Sequence, residues 1–257
     1  MTWTVERVGF APVKGTRHLA YPAITLGTGG PVGDRRFCLV DPGRGRALRT
    51  VQNPELVAVR ADWTDPVLSC RFPDHTVISA PVALTDDQVS FDYWGRTATG
   101  QVVAGPWAGA FGRYLGADLL LVACPPGDVV FGEAVTVVTR TSIDNLAARL
   151  GTPIDPARWR ATVVIDDSTD AARTPEPDWI GRSVQIGGAT ISITAPVARC
   201  AVIDICPETG SRDGALLKVL RRSAPRDELY GDPIFGVQAT VARPGPVLVG
   251  DRAELLP

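Results

Sequence analysis

The chain has 257 residues, 45% of them hydrophobic and 21% charged, with a formal net charge of −2. That length and apolar content suffice for a large buried core in one big or two modest domains. The near-neutral balance gives no reason to expect a nucleic-acid partner. No apolar run approaches the ~18 residues needed to span a bilayer, and the start, Met1-Thr2-Trp3-Thr4-Val5-Glu6-Arg7, lacks the regions of a signal peptide. No membrane association is expected.

Taken in chain order, strand-like runs over 4–10, 36–40, 56–61, 67–72, 76–79 and 89–93 alternate with turns, a spacing that predicts a barrel or sandwich. Trp107, Ala108, Phe111 and Leu115 fall at helical spacing before a stop at Gly116, and an apolar strand follows over 119–123. The Pro- and Gly-rich segment 124–132 is the candidate boundary between two halves. Beyond it a strand over 134–139 leads into a helix that runs to Leu150 and stops at Gly151. Thr141 or Ser142 is expected to cap that helix, whose free N–H groups would suit an anion. Strands are predicted over 161–165, 183–186 and 190–205, a short helix over 215–222, and closing strands over 235–241 and 253–256.

The five cysteines, at 38, 70, 124, 200 and 206, contain no CxxC pair, which argues against a disulfide framework or a tetrahedral zinc site and fits a reducing cytoplasm. Cys38, Cys70 and Cys124 lie in or beside apolar runs and read as core. Cys200 follows Arg199 in an apolar run that ends at the turn Pro207-Glu208-Thr209-Gly210. A cation beside a thiol favours the reactive thiolate. A small hydrophobe in the core is the competing reading. Lys14 is one of only two lysines among 26 basic residues, so it invites a role that arginine cannot fill, although a surface lysine fits as well. Asp34-Arg35 reads equally as an ion pair in a turn, and Arg160 as the cap of a neighbouring carbonyl. His18 and His75 have no ligand-like spacing.

Pro12-Val13-Lys14-Gly15, Gly33-Asp34-Arg35-Arg36-Phe37, Thr141-Ser142-Ile143-Asp144, Arg158-Trp159-Arg160, Arg199-Cys200 with its Pro-Glu-Thr-Gly turn, and Phe235-Gly236-Val237-Gln238 together resemble the MOSC family. This domain is related to the C-terminal part of molybdenum cofactor sulfurases, and the resemblance covers nearly the whole chain. It implies a mainly β protein with a few helices, built from a MOSC N-terminal β-barrel-like domain over 1–124 and a MOSC domain over 125–257. That division allows for a first-domain strand completed by C-terminal residues. A pocket between the domains would hold a pyranopterin molybdenum cofactor.

In members that resemble the mitochondrial amidoxime-reducing component, the resemblance implies Cys200 as metal ligand and Lys14, Arg35 and Arg160 as cofactor contacts. Gly15, Arg36, Thr141, Ser142, Thr162 and Arg199 are further expected contacts, and Asp204 is a candidate proton donor by alternation along the strand from Cys200. Arginine forks and a lysine suit a pterin phosphate, and a soft thiolate suits molybdenum. The chain departs from the family pattern at Gly15 (serine in the family), Ala161-Thr162 (Pro-Asn) and Gly132-Glu133 (Thr-Ser). A carboxylate at Glu133 would repel an anionic cofactor unless it points away or pairs with an arginine such as Arg140.

The expected activity is reduction of N-hydroxylated or N-oxide small molecules. Its electrons would come from a separate ferredoxin or flavin reductase, because this chain lacks iron–sulfur spacing; neither haem nor pyridoxal phosphate is expected. A sulfur carrier or sulfurtransferase working through a Cys200 persulfide is the alternative, as is a divergent enzyme binding a different small anion.

Overall fold

The structure is a computed structural model that describes residues 2–168, 175–228 and 231–256. Two closed β-barrels carry the chain. The first is a ring of the strands Ala83–Tyr93, Arg96–Ala104, Leu120–Ala123, Phe37–Asp41 and Arg46–Ala47. Cys38, Val40, Phe91, Ala98 and Val122 cluster across its strands, while Phe37, Leu39 and Leu121, on the alternate face, pack with Phe111 and Trp107 of helix α1 (Trp107–Leu115). That helix ends where the periodicity predicts, at Gly116, whose φ of 65° suits a residue without a Cβ.

The second sheet runs in the order Val163–Asp166, Val135–Thr139, Ile234–Arg243, Ala189–Ala198, Ser183–Ile186, Arg252–Leu255, Thr2–Phe10 and Leu19–Tyr21. It closes because Thr2–Phe10 pairs antiparallel with both Arg252–Leu255 and Val163–Asp166. The first strand of the chain thus completes the barrel of its second half. Trp3, on that strand, stacks on Trp179 with ring centroids 4.5 Å apart, and both are buried among the apolar residues of the barrel. Helices α2 (Arg140–Leu150) and α3 (Leu216–Ser223) share a separate apolar cluster with Trp159, Ile203 and Val164. Among the described residues no helix is long and apolar enough to cross a membrane.

Several sequence expectations are corrected. The run 56–61 is not one strand: a 3-10 turn, Pro54–Ala58, precedes the strand Arg60–Thr64, because Pro54 presets the helical φ. The expected strand over 190–205 stops at Ala198. Pro196 cannot donate to the ladder, and the register shifts on either side of it. Cys200 therefore does not lie in a strand but caps the 3-10 turn Ala201–Asp204. The strand expected from 161 begins at Val163, and Arg160 instead ends the 3-10 turn Pro156–Trp159 in a left-handed conformation. The N-cap of α2 is Thr139, whose side chain accepts from Ser142 N at 3.2 Å; neither Thr141 nor Ser142 takes that role.

Candidate functional site

A cavity of about 350 Å³ lies where the two barrels meet, and it gathers residues from distant parts of the chain: Lys14, Gly15, Arg35, Arg160 and Cys200 all line it. The backbone explains the first three. Lys14 N donates to Phe37 O at 2.8 Å, Arg35 N donates to Ala11 O at 2.8 Å, and Asp34 Oδ1 accepts from Ala11 N at 3.2 Å. The two motifs are thereby zipped side by side, which carries Lys14 and Arg35 to one wall. Gly15 has φ of 92°, and a Cβ there would lie 3.2 Å from Leu56 Cδ1, so the tight turn after Lys14 favours glycine over the family's serine.

The second half supplies Arg160 and Cys200. Arg35 and Arg160 both have positive φ, 46° and 49°. Left-handed backbone is disfavoured for residues with a Cβ, and its appearance at two cations lining one cavity is the kind of strain that accompanies function. The turn over 207–210 fastens the two halves around the cleft. Arg17 donates to Glu208 O, Arg212 donates to Val51 O, and a Cβ on Gly210 would come within 2.7 Å of Pro54 O.

Electrostatically the cleft is poised for an anion. Burial works against the charge on Arg35, but the hydrogen-bonded Asp34 carboxylate outweighs it and holds that guanidinium above its ordinary value. Burial, followed by the like charge of Arg35, brings Arg160 down to about 10. Lys14 is lowered first by burial and then, despite an opposing influence of Cys38, by Arg35, Arg160 and Arg49. Its ammonium donates to Leu48 O at 2.9 Å and lies 5.4 Å from the centre of the Tyr93 ring. Three mutually repelling cations, with Asp232 the single carboxylate among the described lining residues, constitute charge that a bound anion would relieve.

Cys200 is exposed in this cleft, whereas Cys38, Cys70 and Cys124 are buried as the sequence suggested. The other expected site residues do not line it. Arg199 is buried, with Nε donating to Phe235 O and Nη1 to Trp159 O, both at 2.8 Å, so its side chain braces the chain behind Cys200. Burial lowers it to about 10. Arg36 donates to Cys124 O at 2.7 Å. Thr162 and Thr136 exchange backbone-to-hydroxyl bonds at 3.2 Å within the sheet.

Asp204 accepts from Leu217 N at 3.1 Å near the start of α3, a structural duty that places it outside the cleft lining. The N-terminus of α2, expected to receive an anion, is served by the protein itself: Glu176 accepts from Thr139 N, Thr139 Oγ1 and Ser142 Oγ, and Asp167 accepts from Thr141 N. Arg140 pairs with Glu6 and with Asp144, not with Glu133. Gly132 makes room for Gln238: a Cβ there would lie 2.3 Å from Gln238 Oε1, which accepts from Glu133 N at 2.9 Å.

Tyr93, Trp94, Phe131 and Asp232, which are not among the expected site residues, also line the cleft. One signal was present for Trp94. The Trp94-Gly95 pair sits between two strand-like runs, where a two-residue turn ordinarily carries Asn-Gly. His18, read as having no role, is buried at the back of Arg160: both border a small neighbouring void, and Arg7 Nη2 donates to His18 Nδ1 and His18 O at 3.1 Å.

Two closed barrels thus flank a basic cleft that carries an exposed thiol. The model of the MOSC N-terminal beta barrel domain matches residues 2–118, and that of the MOSC domain matches residues 111–254. The chain belongs to the MOSC family. Solved structures similar to it include the YuaD protein from Bacillus subtilis, at 13% identity, covering 99% of this chain and 96% of that one with a TM-score of 0.47. YiiM from Geobacillus stearothermophilus is 14% identical, covering 69% of this chain and 76% of its own, with a TM-score of 0.37. No curated protein matches the chain.

Proposed function

We propose that the cleft holds a pyranopterin molybdenum cofactor and that the protein reduces N-hydroxylated or N-oxide small molecules. The observation that carries this reading is the exposed Cys200 thiol in one cavity with Lys14, Arg35 and Arg160. The donor set suits the group: a soft thiolate for molybdenum, and two guanidinium forks with an ammonium for a phosphate. When bound, such a cofactor supplies two-electron removal of oxygen from nitrogen.

The protein's own residues bind and orient. Arg35, held by Asp34, and Arg160, fixed at the end of a 3-10 turn, would form the phosphate seat, and Lys14, tied to Leu48 O, would add a point charge. Arg199 keeps the Cys200 backbone in place through its carbonyl bonds. Reduction of an N–OH group consumes two electrons and two protons and releases water. The electrons are assigned to a separate donor protein, a ferredoxin or flavin reductase.

Metal analysis of protein produced in a molybdenum-replete host tests the reading. Stoichiometric molybdenum in the wild type and its loss in Cys200→Ala are expected. A metal-free protein that forms a persulfide on Cys200 would overturn the assignment in favour of sulfur transfer.

A further inference from the structure

The cleft has a second chemical character that the cations do not explain. Trp94 and Phe131 line it while remaining 45% and 53% exposed, with ring centroids 5.3 Å apart and planes inclined by 58°. Large aromatic rings left in water at the rim of a cavity commonly mark a binding surface.

The backbone beneath Trp94 strengthens the point. Trp94 and Gly95 form the two-residue turn between Ala83–Tyr93 and Arg96–Ala104, with φ of 56° and 83°. Positive φ at both positions suits Asn-Gly, and a bulky tryptophan in the first place costs backbone energy that asparagine would not. The fold holds it there nonetheless. Arg49 lies over the Trp94 ring at 4.2 Å and reaches Asp92 at 3.9 Å. The hairpin is fastened to the segment before Phe131, for Tyr93 OH donates to Val129 O at 2.8 Å and Arg96 Nη2 donates to Asp128 O and Val130 O. Val51, Val129, Ala198 and Val202 extend the apolar wall in the cavity that contains Cys200.

We infer that Trp94 and Phe131 seat the planar aromatic part of the substrate, so that the protein selects aryl over alkyl N-hydroxylated compounds. The reacting group named here rests on the proposed function; the aromatic seat rests on Trp94, Phe131 and their supports. A flat ring would stack on or edge against the indole while its polar end enters the basic interior.

Benzohydroxamic acid and acetohydroxamic acid share a reacting group and differ in a phenyl or a methyl substituent. With the molybdenum-replete full chain, calorimetric binding and KM of the two compounds are compared in wild type, Trp94→Phe and Trp94→Asn. About tenfold tighter binding of the aryl compound is expected in the wild type, in line with a good aromatic contact plus its buried area. Trp94→Phe should keep most of that preference. Trp94→Asn, which suits the turn, should abolish it with thermal stability and molybdenum content retained.

Equal binding of both compounds by the wild type, or a preference that survives in Trp94→Asn, overturns the inference. So does loss of molybdenum in Trp94→Asn, which would assign the ring to the cofactor. Preferential aryl binding that disappears in Trp94→Asn, with neither compound reduced, would leave the seat standing and remove the proposed reduction.

Discussion

The Glu176 carboxylate accepts a hydrogen bond from Ser142 Oγ at 2.6 Å, while its other oxygen accepts from the backbone and hydroxyl of Thr139. A buried carboxylate from 34 residues downstream of Ser142 therefore serves the N-terminus of α2. Replacing Glu176 with alanine strands the buried Thr139 N–H and hydroxyl donors, and a loss of about 3 kcal/mol in stability is expected. Urea unfolding followed by circular dichroism measures it; a loss below 1 kcal/mol would show that water satisfies the donors. Glutamine, which retains one acceptor oxygen, should cost less.

Arg160 offers a test of the trade between stability and function. Its left-handed backbone and its repulsion by Arg35 are unfavourable in the protein without an anion. Arg160→Gly relieves both and should leave the melting temperature of the metal-free protein unchanged or higher, while molybdenum content falls several-fold. A variant that loads the metal like wild type would remove Arg160 from the phosphate seat.

His18 gives the stability of the protein an acid dependence. Its pKa is pushed well below 6.5 by burial first and then by the positive charges of Arg7, Arg160 and Arg35. Above about pH 7 the imidazole is neutral in both folded and unfolded chains and contributes no pH dependence. Below about 6.5 the unfolded chain takes up a proton that the folded one refuses, so stability falls with pH by up to ~1.4 kcal/mol per unit until the folded pKa is reached. His18→Gln should flatten this part of the curve between pH 6.5 and 5, as read from urea midpoints at a series of pH values.

The glycine that replaces the family's serine after Lys14 is open to a direct check. Because Gly15 has φ of 92° and Leu56 Cδ1 stands 3.2 Å from a Cβ placed there, Gly15→Ser should destabilise by about 1–3 kcal/mol. A serine variant as stable as wild type would mean that the turn can relax to negative φ.

Much of the architecture was readable in local signals. The stops at Gly116 and Gly151 are left-handed C-caps, at φ of 65° and 76°, and the short alternating runs do close into barrels. Lys14, Arg35, Arg160 and Cys200 were gathered by motif resemblance, and the structure brings all four to one cavity. Composition and periodicity carry no such information, since those residues lie on turns whose conformations depend on distant partners.

Local patterns failed where long-range contacts decide. Asp204 looked available by strand alternation, yet the chain leaves the strand at Ala198 and Asp204 bonds to Leu217 N. Thr141 and Ser142 looked ready for an external anion, but Asp167 and Glu176 reach them through tertiary packing.

The pairing of Thr2–Phe10 with Val163–Asp166 and Arg252–Leu255 has a consequence for biosynthesis. Thr2–Phe10 precedes both of these partners in the chain and must wait for them to be made. Until then its hydrogen-bonding edges and its Trp3 side chain lack these native partners, a situation that invites transient pairing with other chains. The second barrel consequently closes only after synthesis has passed Leu255, whereas the strands of the first are all present once Ala123 has been made.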